Sequence, residues 1–108
     1  MPKYLIEETL APPAYAGMLQ NPEDRGEVLK PIFKAAGCKL EQHYCSGTET
    51  KTYLIVDSPD LDKVLTVGAL FMAAGAASSL KYVPLITLPE MVEICKKTST
   101  LKYRPPGK

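Results

Sequence analysis

With 108 residues, 45% of them apolar and 23% charged, the chain has the make-up of one globular domain built around a single core. Thirteen basic against twelve acidic side chains leave a net charge of +1, which removes the electrostatic reason to expect a nucleic acid or an acidic membrane as partner. Three cysteines in no framework spacing argue for free thiols and a reducing, cytoplasmic compartment.

The first predicted element is a strand over Lys3–Leu10. Its apolar run, Tyr4, Leu5 and Ile6, is cut short by Glu7 and Glu8, too soon for a signal peptide. A helix follows over Asn21–Gly37. Asn21 is its expected cap, Pro22 its first-turn residue, and Glu23 and Asp24 face the positive end of its dipole. Val28, Leu29, Ile32, Phe33 and Ala36 make one apolar stripe that continues across Pro31, so the helix is read as bent, with Gly37 as its stop. Cys38–Cys45 and Thr52–Asp57 read as strands joined by the hairpin residues Ser46–Thr50.

The second helix spans Ser58–Gly75, opened by Ser58, Pro59 and Asp60, with Leu61, Val64, Leu65, Gly68, Phe71 and Met72 on its buried face. The small residues Thr66, Ala69, Ala73 and Ala76 on its outer side suit a packing surface. The uncharged stretch Val64–Leu80 is at the short limit for a membrane span and carries glycines, serines and a helix stop of the soluble kind, so no span is expected. A strand over Ser79–Leu88 and a short helix from Leu88 to Lys96–Lys97 complete a domain of residues 1–97. Residues 98–108 form an extended tail.

Strand–helix–strand–strand–helix–strand is the ferredoxin-like, split βαβ order: an α+β domain with an antiparallel sheet and helices on one face. Yet the strands read apolar on both faces, as in Tyr53, Leu54, Ile55 and Val56, or Tyr82, Val83, Leu85 and Ile86. A second copy of the chain is the simplest cover for the other face, so a homodimer or larger homo-oligomer is expected.

Met1–Ile6, Gly37 followed by Lys39-Leu40-Glu41 and Tyr44, the run Tyr53–Asp60, the small-residue helix and Leu85–Met91 together resemble the GYD-domain family over about residues 1–97. The Gly-Tyr-Asp signature itself is degraded: Gly47 remains, while Thr50 and Lys51 stand at the Tyr and Asp positions. The resemblance implies a ferredoxin-like fold of the dimeric α/β-barrel kind and brings no general activity with it.

Two constellations carry chemistry. Glu41, His43 and Cys45 alternate along the second strand and so are expected to share a face; each type can ligate a metal. No second His and no Cys-x-x-Cys spacing supports a site, and no metal is assigned. By the same alternation Cys38 and Cys45, seven apart, point to opposite faces. Tyr4, Tyr44, Tyr53 and Tyr82 sit on four different strands and are the candidate ligand-binding residues, lining a cavity between the sheet and its cover. His43, the sole imidazole, and Glu7, or its neighbour Glu8, are the candidates for proton transfer in that space. The bland alternatives are core or interface packing for the tyrosines and a solvated rim for His43 and Glu7.

No phosphate loop, dinucleotide fingerprint or nucleophile–base motif occurs, so no cofactor is expected. The third strand lacks the aromatic run of an RNA-recognition domain. The function expected is a small-molecule-binding or assembly module for an apolar or aromatic ligand. The alternative is a cofactor-independent oxidoreductase resembling the monooxygenases of the dimeric α/β-barrel architecture.

Overall fold

The computed structural model describes all 108 residues. The elements run β1 (Lys3–Leu10), α1 (Pro12–Gln20), α2 (Arg25–Ala35), β2 (Lys39–Cys45), β3 (Lys51–Asp57), α3 (Leu61–Ala73), β4 (Ala77–Leu85) and α4 (Leu88–Lys97), followed by a 3-10 turn at Thr98–Thr100. The strands form one antiparallel sheet in the order β2-β3-β1-β4. With α2 and α3 on one face, this is the expected ferredoxin-like α+β fold. No helix is long and apolar enough to cross a membrane.

Alternation along β1 and β3 decides which face is which. Tyr4, Ile6, Glu8 and Leu10 point to the helices together with Thr52, Leu54 and Val56, and all are buried. Lys3, Leu5, Glu7 and Thr9 lie opposite Asp57, Ile55, Tyr53 and Lys51 on the other face, which nothing covers. Phe33, Val64 and Val67 close the core from the helix side, and Phe33 meets Phe71 edge-on at 6.0 Å. Removing a side chain such as Phe33 from water contributes about 2–3 kcal/mol.

Both helix starts lie later than the cap residues suggest. Asp24, not Asn21, caps α2, accepting from the Gly26 N–H at 2.9 Å. Asn21 instead closes α1, its N–H donating to the Gly17 carbonyl at 2.9 Å. Asp60, not Ser58, caps α3 by accepting from the Lys63 N–H at 3.1 Å; Ser58 is wholly buried and donates to the Asp60 carbonyl at 2.6 Å. On α3 the buried residues are Val64, Val67, Gly68 and Phe71, while Leu61, Leu65 and Met72 are exposed. Gly37 and Gly75 take positive φ, +87° and +75°, where each helix has to stop.

A bulge in β2 overturns one register expectation. Leu40 pairs with Val56 and Gln42 with Ile55, so Glu41 is an extra residue. Glu41 therefore falls on the open face, where Lys3 bridges it at 2.6 Å and Asp57 at 2.8 Å. His43 and Cys45 face the helices. Glu41, His43 and Cys45 do not share a face, and Cys38 and Cys45 are on the same side of the sheet, not on opposite ones.

α4 opens with a capping box, in which Glu90 N–H donates to the Thr87 hydroxyl at 3.2 Å while the Glu90 carboxylate accepts from the Thr87 N–H at 3.2 Å. None of its residues is buried. It stands away from the sheet, stretching the molecule to 56 × 34 × 24 Å. The radius of gyration is 17.5 Å, where a compact chain of this length has about 13 Å.

Candidate functional site

A cavity of 530 Å³ lies between the helix-facing side of the sheet and the helices, at the end of β1 where Glu8 and Leu10 sit. Its floor is Glu8 from β1, Thr52 from β3, and His43 and Cys45 from β2. Leu29 and Ile32 of α2 and Leu70 and Phe71 of α3 form apolar walls, and Ala14, Gly17 and Met18 of α1 close the roof. Asn21, Glu23 and Arg25 mark the rim, where Arg25 pairs with Glu23 at 2.8 Å.

Each polar floor residue is placed by strand parity. Glu8 is the third inward residue of β1 after Tyr4 and Ile6, and only 5% of it is exposed. The Thr52 hydroxyl donates to its Oε1 at 2.7 Å, and no other side-chain hydrogen bond reaches the carboxylate. Burial pushes the Glu8 carboxyl above its usual range, against the opposing pull of Thr52 and of the Arg25 charge. His43 faces inward because of the bulge two residues before it. Its Nε2 is buried and without a hydrogen-bond partner. Burial also pushes the imidazole below its usual value; Asp24 opposes this and Arg25 adds to it. The N-terminus of α2 lies beside Nδ1, close enough that a β-carbon at Gly26 would come within 3.7 Å, and the positive pole of a helix likewise disfavours imidazolium. The floor thus holds a carboxyl biased toward its neutral form and an uncharged imidazole, both able to exchange a hydrogen bond or a proton with a molecule in the cavity.

Of the residues singled out from sequence, His43 lines this cavity and Glu7 does not. Glu7 is on the open face with Lys51 at 3.8 Å. The four tyrosines divide between the faces and none lines the cavity. Tyr4 is in the core, and Tyr82 packs its ring tip against Gly68 of α3, where burial raises its phenol. Tyr44 and Tyr53 oppose each other on the open face, Tyr44 60% exposed. This cavity is on the helix side of the sheet, away from the face that carries Tyr44 and Tyr53. Thr52, Arg25 and the α1 roof were not singled out from sequence. For Thr52 a signal existed: it sits at the same parity as Leu54 and Val56.

The family model of the GYD domain matches residues 4–95, most of the chain. The chain belongs to the GYD-domain family. In this GYD-domain protein the degraded signature falls in the β2–β3 hairpin and at the first residue of β3, where Lys51 lies near Glu7 and Glu49. Among solved structures, a crystal structure described as an antibiotic biosynthesis monooxygenase is similar with a TM-score of 0.51. It is 13% identical and covers 82% of this chain and 100% of that one, which shows a shared fold. No curated protein matches the sequence.

Proposed function

We propose that this GYD-domain protein binds a small, uncharged and mostly apolar organic molecule, aromatic or aliphatic, in the cavity over Glu8 and His43, and that it does so as a homo-oligomer. One observation carries the reading: two buried polar groups, one with an unpaired nitrogen, form the floor of an otherwise apolar cavity. Leaving a buried imidazole nitrogen without a partner costs about 1–3 kcal/mol, a cost that a ligand hydroxyl or carbonyl removes once the ring turns Nε2 toward the cavity. The volume of 530 Å³ is in the range of small-molecule sites. A charged ligand is disfavoured, because the walls are apolar and Glu23 already occupies the one rim cation, Arg25.

A second reading, an enzyme of the cofactor-independent oxidoreductase kind, draws support from the same pair. Burial moves the Glu8 carboxyl toward the range where proton exchange at neutral pH is efficient, while the His43 imidazole, pushed down, stays neutral and able to accept a proton. A thermal-shift screen of neutral, hydrogen-bonding aromatic and aliphatic compounds tests both. At a hundredfold excess over its dissociation constant, a ligand adds about 2.7 kcal/mol, a rise of roughly 10 °C in Tm. The shift is expected to collapse in His43→Ala and in Glu8→Leu. Equal shifts in wild type and both variants would refute the site. Compounds consumed by wild type but not by Glu8→Gln would favour the enzyme.

A further inference from the structure

Two apolar surfaces of this chain have no partner within it. On α4, Leu88, Met91, Val92 and Cys95 recur at i, i+3, i+4 and i+7, the spacing of a stripe made to be buried, yet Leu88 is 82% exposed and Val92 51%. On the sheet, Leu5, Ile55 and Val83 form a central apolar strip of the open face, half-buried only by their neighbours. α4 leaves from the sheet end where Leu85 pairs with Lys3 and runs away from both faces. A ten-residue helix is marginal in water without packing, however well capped.

Charge divides the same way. From Leu88 onward, α4 and the tail carry five basic and two acidic side chains, while residues 1–87 carry eight basic and ten acidic ones: an arm of +3 on a body of −2. The arm suits an acidic body with an exposed apolar face, and a second copy of this chain is such a body.

We infer that α4 and the basic tail form a clasp, the apolar stripe of α4 lying on the open sheet face of a second copy and Lys102, Arg104 and Lys108 facing its acidic surface. The clasp rests on the homo-oligomer proposed above, and the experiment separates the two. Light scattering across a concentration series is run on the full chain as wild type, as Met91→Asp/Val92→Asp, and as Lys102→Glu/Arg104→Glu. The wild type is a dimer. The Met91→Asp/Val92→Asp pair raises its dissociation constant at least tenfold while the β-sheet domain keeps its cooperative unfolding transition, since neither residue is buried in the single chain. The tail pair gives a smaller rise that fades at high salt. A dimer constant within twofold of wild type in the α4 variant overturns the clasp and leaves the oligomer standing. A wild type monomeric throughout overturns both, as does a monomer whose arm instead captures DNA or anionic vesicles. Crossing is read with tagged chains carrying Ile55→Cys and Cys95→Ser mixed with untagged wild type. A disulfide from Cys95 of one chain to position 55 of the other supports the clasp. In a protein carrying Ile55→Cys and keeping Cys95, a disulfide confined within one chain overturns it.

Discussion

At the scale of the residue, Glu8 and His43 affect stability with opposite pH signs. A carboxyl whose folded pKa is raised adds stability below its ordinary value of 4.5, and that stability is lost as pH rises through the folded pKa. Glu8→Gln keeps an acceptor for the Thr52 hydroxyl and removes the charge. It is expected to stabilise the protein at pH 8 by on the order of 1 kcal/mol and to leave it unchanged or slightly weaker at pH 4, read by urea unfolding at both. An imidazole whose folded pKa is lowered adds stability above its ordinary value of 6.5, which is lost as pH falls toward the folded pKa. His43→Ala is therefore expected to cost about 1 kcal/mol or less at pH 7, less still at pH 5, and to abolish ligand binding. A His43→Ala protein that fails to fold would mark the imidazole as a core group.

At the scale of the element, the contact between α3 and β4 depends on the absence of a side chain. A β-carbon at Gly68 would overlap the Tyr82 hydroxyl and come within 3.1 Å of Leu80. Gly68→Ala gains about 1 kcal/mol of helix propensity and still is expected to destabilise by about 1–3 kcal/mol through overpacking. Tyr82→Phe in the same protein should restore part of the loss, which chemical denaturation of the double-mutant cycle will show.

The same elements show what sequence can and cannot carry. Four strands, two core helices and the capped α4 were legible because alternation, stripes and helix stops are local signals. α1 was not: its Pro12 start is legible, but none of its residues is buried, so no stripe marks it. The inward turn of His43 was not legible either, since one extra residue at Glu41 reverses every later parity and leaves no trace in composition. Glu8 was legible as a break in an apolar strand. Its neutral bias comes from burial under α1 and α2, and that belongs to the tertiary structure.

At the scale of the whole molecule, the proposed binding and the proposed assembly fall on opposite faces of one sheet: the cavity on the helix side, the apolar strip of Leu5, Ile55 and Val83 on the other. The two are expected to be separable: variants of α4 that weaken the dimer leave the cavity floor intact, and ligand-induced thermal shifts in them should equal those of wild type. Cys45 offers a further reading of the site. It is exposed and lines the cavity, whereas Cys38 is buried, so a bound ligand should slow alkylation of Cys45. Since His43 is the only histidine, its two ring nitrogens give an unambiguous NMR signal. The most direct measurement is therefore a side-chain 1H–15N spectrum of the full chain, titrated from pH 8 to 5 and repeated with each compound that raises Tm. Expected are a neutral ring at pH 7, a titration midpoint below the ordinary histidine value, and an Nε2 resonance that moves when ligand binds. A ring that titrates as a free histidine and ignores every binding compound would contradict the proposed site.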